Sequence, residues 1–88
     1  MKLKRYSPSM SEIEYTDGTR VLFSYETPVA AHVNEGDEKG GRGWVYVKSD
    51  RFFSRTTAAH VGKWLRACNA DRADTVPHEE IVALAEGR

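Results

Sequence analysis

The stretch Arg51–Arg72, RFFSRTTAAHVGKWLRACNADR, contains the change of period that decides the fold. Phe52-Phe53 reads as a last short strand or strand end after Arg51. From Thr57 onward Ala58, Val61, Leu65 and Cys68 recur at intervals of three and four with Trp64 beside them, which defines one face of an amphipathic helix. Thr56 or Thr57 is the expected amino-terminal cap, worth about 1 kcal/mol. Gly62 weakens the helix by a similar amount unless it admits a strand. The polar run Asn69 to Asp74 ends it.

Upstream the period is two. Asp17-Gly18 lies between two strand-like runs in Ile13–Tyr25 and supplies the positive backbone angles of a tight hairpin turn. Val21, Phe23 and Tyr25 alternate with Leu22, Ser24 and Glu26, so one row of side chains points toward a core. Thr27-Pro28 marks a bend or an edge position before a third strand, Val29 to Val33, because proline cannot donate to a ladder. Residues 34–43 combine four glycines with Glu35, Asp37, Glu38, Lys39 and Arg42, the composition of a mobile loop. Trp44 to Val47 resumes strand character, and Ser49-Asp50 makes a polar turn. Downstream, Pro77 starts a second short helix with Glu79 and Glu80 in its first turn, Ile81, Leu84 and Ala85 on its buried side, and Gly87 as its stop. The expected fold is α+β: an antiparallel meander of four to five strands packed by one amphipathic helix, with a short C-terminal helix, in a single domain spanning residues 1–88.

Eighty-eight residues permit a thin core, and the aromatic content argues for a folded chain. The single cysteine, Cys68, allows no internal disulfide. No apolar run follows the basic start Met1-Lys2-Leu3-Lys4-Arg5, and no segment approaches the ~20 apolar residues of a membrane span. Together these features lead us to expect a cytoplasmic protein, a monomer or small homo-oligomer, with no membrane partner.

Thirteen basic and thirteen acidic side chains cancel, which argues against a general polyanion binder. The cancellation hides a local asymmetry. Arg51, Arg55, Lys63, Arg66 and Arg72 face a lone acid, Asp71, within the opening stretch, so the remainder nets negative. His60, Lys63 and Arg66 follow one another along a helix face opposite Val61, Leu65 and Cys68. The candidate partner-binding residues are therefore Arg51, Arg55, Thr57, His60, Lys63 and Arg66, against the plainer reading of a solvated helix face.

Chemistry is harder to find. His32, His60, Cys68 and His78 have no recurrent zinc spacing, so no metal is expected. Cys68 and His60 are two helical turns apart, ~12 Å along the axis, too far to act as nucleophile and base. No phosphate-binding glycine loop, paired-carboxylate motif or catalytic triad is recognisable, and neither a cofactor nor enzymatic activity is expected.

Two segments, Leu22–Ala30 (LFSYETPVA) and Ser54–Leu65 (SRTTAAHVGKWL), resemble a small uncharacterised domain of bacteriophage and other prokaryotic mobile-element proteins, in which an SY-x-TPVA strand precedes a TT-x-x-H-x-x-K-W-L helix. The resemblance carries no known activity and no established functional residues. It implies that Thr56, Thr57, His60 and Lys63 form the surface part of the shared segment and Val61, Trp64 and Leu65 its core part. It also implies a non-catalytic binding module, a phage accessory protein that occupies a host protein such as an antiviral-defence component. The acids Asp74, Glu79, Glu80 and Glu86 would support phosphate mimicry only weakly. The alternative is a nucleic-acid-binding domain, with Arg51, Arg55, Lys63 and Arg66 on phosphates and Phe52, Trp44 or Tyr46 stacking on bases. A third class, a homo-oligomeric assembly protein, would pair sheet edges or bury Trp44 across a symmetry axis.

Overall fold

A computed structural model describes residues 1–35, 43–70 and 72–87. The bulk of the 34–43 loop expected above, together with Asp71, falls outside that range. The described residues form one six-stranded sheet in chain order, β1 (Lys2–Ser7), β2 (Met10–Glu14), β3 (Arg20–Ser24), β4 (Thr27–Asn34), β5 (Trp44–Ser49) and β6 (Asp74–Val76), with α1 (Arg55–Ala67) between β5 and β6 and α2 (His78–Ala85) at the end. The α+β class holds, but there are six strands where four to five were expected. Neighbours pair antiparallel from β1 to β5, while β6 lies parallel to β5. A parallel pair needs a crossover, and α1 is that crossover. No helix among the described residues is long and apolar enough to cross a membrane.

The hairpin at Asp17-Gly18 forms as its turn chemistry requires. Gly18 has φ +93°, and a β-carbon there would sit 3.0 Å from the Trp44 indole, so both backbone angle and space demand glycine. Asp17 Oδ1 accepts from the Thr19 amide at 2.9 Å, a bond that lowers the Asp17 pKa. Thr27-Pro28 does disturb the ladder. Register slips between Leu22, opposite Ala30, and Phe23, opposite Pro28, so Val29 is the extra residue of a bulge. The last expected strand, Arg51–Phe53, has no regular structure; β5 stops at Ser49, and the Arg51 amide turns back to Ser49 Oγ at 3.1 Å.

Each sheet face carries its own core. On one face Met10, Leu22, Val29 and Ala30 pack under Trp64 of α1, joined by Val61, Leu65 and Cys68. On the other Val21, Ala31 and Val47 pack under Ile81 of α2, with Leu84 and Ala85. Adjacent residues such as Leu22 and Val21, or Ala30 and Ala31, thus point to opposite cores, and β3 and β4 are buried on both sides. Trp64 is fully buried, a contribution of about 4 to 6 kcal/mol at ~25 cal/mol per Å² of apolar surface. Sequence placed Trp64 beside the helix's buried stripe; it is the centre of that stripe, and Ala58 is exposed instead. The cap also differs. Ser54, with extended backbone, accepts the Thr57 amide through its hydroxyl at 3.1 Å, so α1 begins at Arg55. At the far end, Gly87 with φ +88° donates to the Leu84 carbonyl and stops α2.

Candidate functional site

α1 lies over β3 and β4, whereas α2 covers β3, β4 and β5. On the α1 side, therefore, the helix is set off from the strip of β5 and β6, with Tyr46 of β5 reaching back to pack edge-on against Trp64 at 5.6 Å. Along this strip a cavity of about 340 Å³ opens at the amino end of α1, floored by Lys48 and Thr75, walled by Ala58 and Val61, and closed by the loop from Asp50 to Ser54. A second, about 400 Å³, continues along the same two strands at the carboxyl end of α1, between Trp44 and Tyr46 and the turn at Asn69-Ala70. The two cavities share no lining residue and lie one after the other along β5 and β6, and the strip that holds them is a trough beside the helix.

Aromatic rings stand at both ends. Phe52 is 74 % exposed and Phe53 half as much, because the chain leaves β5 before reaching them. Trp44, 44 % exposed, is held from behind: His32 sits 5.1 Å from its ring and stacks in turn on Tyr46 at 4.2 Å. Exposed apolar rings near cations are the informative exception on a small surface, since an exposed aromatic gains nothing from water. Lys48 and Arg51 lie along the trough, and neither joins an ion pair among the described residues. The nearby carboxylates are engaged: Asp50 Oδ1 accepts the His78 amide at 3.2 Å, and Asp74 takes Arg72 at 2.9 Å.

Of the six residues singled out from sequence, four are exposed and two are not. Arg55 and Arg66 lie on the outward ridge of α1, with Lys63 round toward the β2–β3 side, and the helix contains no acid. An arginine opening a helix opposes the macrodipole, a small cost that an anion bound there would reverse. Arg51 belongs to the trough loop. Thr57 and His60 turn inward. Ser24 Oγ meets Thr57 Oγ1 at 3.0 Å and His60 Nδ1 at 2.7 Å, and Ser9 Oγ reaches His60 Nε2 at 3.4 Å. His60 therefore leaves the line with Lys63 and Arg66 because β3 offers it a hydroxyl. The Ser24–His60 distance suits a nucleophile and its base, but Ser24 is only 1 % exposed, which leaves no approach for a substrate. Tyr25, beside it with φ +59°, occupies the left-handed region at the β3–β4 turn and sets its ring 5.8 Å from His60.

Beneath α1 lies a polar cluster that sequence reading missed. Glu12 is buried, and its Oε1 accepts from Trp64 Nε1 at 2.8 Å and from the Tyr6 hydroxyl at 2.9 Å. Arg20 stands 3.6 Å from the same oxygen and donates to Tyr46 Oη and His32 Nδ1, each at 3.1 Å, and to Cys68 Sγ at 3.8 Å. Burial, reinforced by the Glu12 carboxylate, pushes the Tyr6 hydroxyl up to about 12. Burial and the Arg20 charge pull His32 down, keeping it neutral and able to accept at Nδ1. Burial works to lower Arg20, but Glu12, Cys68 and Tyr46 together raise it. The arrangement satisfies a buried charge and fixes the rings behind Trp44. Its sequence signal is the alternation Met10, Glu12, Glu14, which puts an acid on a core-facing row.

No group of three or more His, Cys, Asp or Glu among the described residues could hold a metal ion. The chain belongs to a family of unknown function, DUF8033, which it matches over residues 1–83. Every strand, α1 and the whole trough fall inside the family match. No curated protein and no solved structure matches it.

Proposed function

We propose that this protein is a small non-catalytic binding module whose working surface is the α1 side of the sheet and whose partner is an anionic macromolecule. The observation that carries the reading is the β5–β6 trough, with Lys48 and Arg51 free of ion pairs among the described residues and Phe52 exposed at its rim, next to a helix that bears Arg55, Lys63 and Arg66 and no acid. A chain with balanced charge has thereby concentrated cations on one side, and such a local field steers an anionic partner. The non-catalytic part rests on the burial of Ser24, whose hydroxyl, bonded to Thr57 and His60, is spent on the β3–α1 contact.

Retention on immobilised heparin tests this reading directly. The protein is expected to bind at low salt and elute as salt rises, with Arg51→Glu plus Arg55→Glu abolishing retention while the fold, followed by circular dichroism, persists. Flow-through at low salt would contradict it. Among protein partners, the resemblance of Leu22–Ala30 and Ser54–Leu65 to phage and mobile-element segments favours an acidic surface on a host protein, an antiviral-defence component being the example. A pull-down from bacterial lysate that recovers only chaperones would count against that version.

A further inference from the structure

Building on the anionic-partner reading, we infer that the occupant of the β5–β6 trough is single-stranded nucleic acid, with bases stacked on Phe52 at one end and Trp44 at the other and phosphates passing Arg51 and Lys48. The ingredients are those of a stacking platform in a positive groove, where ring faces bind any base and cations follow the backbone. Phe52 and Trp44 are both substantially exposed, and Trp44 is preorganised by His32 behind it and by the close approach of Gly18. Trp44 and Lys48 are separated by ~13 Å along β5. At the 3.4 Å spacing of a stacked strand this is about four nucleotides, with the loop bearing Phe52 adding one or two more. An acidic peptide would satisfy Arg51 and Lys48 and leave the two rings unused. A duplex has no free base faces to give them.

Fluorescence anisotropy with labelled oligothymidylates, read alongside the protein's own tryptophan emission, tests the assignment. Affinity should rise with length and level off near about six nucleotides. Trp44 emission should be quenched on binding, while Trp64, fully buried, contributes a constant background. Replacing Phe52 or Trp44 by Ala should each weaken binding about 5- to 100-fold, and Lys48→Glu should flatten the salt dependence. With about two phosphate contacts, from Arg51 and Lys48, affinity should fall about 7-fold between about 50 and about 200 mM salt. Phe52 is a loop side chain with little packing, so Phe52→Ala keeps the test open should Trp44→Ala fail to fold. Equal binding of heparin, polyglutamate and oligothymidylate, insensitive to Phe52→Ala, would overturn the inference and leave the anionic-partner reading standing. Tighter binding to duplex than to single strands would also overturn it. No binding to any polyanion would overturn both.

Discussion

The two faces of the sheet solve the same packing problem with different materials. Under α2 the core is hydrocarbon, Val21, Ala31, Val47 and Ile81, and the helix turns Glu79 and Glu80 to solvent with no cation of its own. Under α1 it is partly polar: Trp64 covers Leu22 and Ala30, but its indole also serves Glu12, which in turn holds Tyr6 and faces Arg20. A buried carboxylate with several donors is an expensive way to fill space, since an apolar side chain of similar volume would do as well or better for stability. What the polar face gains is a set of fixed rings, His32 and Tyr46, immediately behind the exposed Trp44. The α2 face holds the domain together, and the α1 face additionally shapes a surface.

Mutations that break the cores should cost most. Trp64→Ala removes the largest buried side chain and a donor to Glu12, and is expected to lose about 3 to 5 kcal/mol in urea denaturation or to prevent folding. Ile81→Ala on the other face should lose about 2 to 5 kcal/mol by the cavity alone and leave the trough unchanged. Next comes Glu12→Gln, which keeps the shape but removes the counter-charge of Arg20; about 1 to 3 kcal/mol should be lost, and Tyr6 should titrate nearer its ordinary value in a spectrophotometric titration. A loss under that range would mean that the carboxylate's charge is incidental.

Ser54→Ala should cost about 1 kcal/mol by removing the cap of α1, read as a shift of the urea midpoint without change of slope. The pH dependence should be gentler still. His32 has a folded pKa below its ordinary 6.5, so the unfolded chain takes up the proton first and stability falls as pH drops through 6.5. Tyr6 is raised from 10.0 to about 12, so its contribution is complete below pH 10 and is lost as pH climbs from 10 to 12. Tyr6→Phe should flatten the alkaline limb of a denaturation series in part, and Tyr15→Phe, under α2, should flatten it further, because burial raises the Tyr15 hydroxyl as well.

What sequence could reveal followed from how local each determinant is. The Asp17-Gly18 hairpin, the helical period from Val61 to Cys68 and the stop at Gly87 are each fixed by neighbours a few residues away, and these formed as read. β1 and β6 went unread for a physical reason. Lys2, Leu3, Lys4 and Arg5 are all exposed on an edge strand, so no buried row betrays the period of two, and β6 is too short to have one. The inward turn of Thr57 and His60 depends on Ser24, more than thirty residues upstream, and no helical wheel contains that partner. The trough was the least legible feature, because it depends on α1 resting chiefly over β3 and β4, to one side of β5 and β6. Its residues were nonetheless in view, since Arg51, Phe52 and Trp44 had each been named for a binding role.

The contrast between the faces is tested most directly by a nitrogen–proton correlation spectrum of the full chain titrated with oligothymidylate. The account predicts shifts concentrated in Lys48–Arg55 and at the Trp44 indole N–H, with Ile81 to Ala85 still. Shifts centred on α2, or none at low salt, would contradict it.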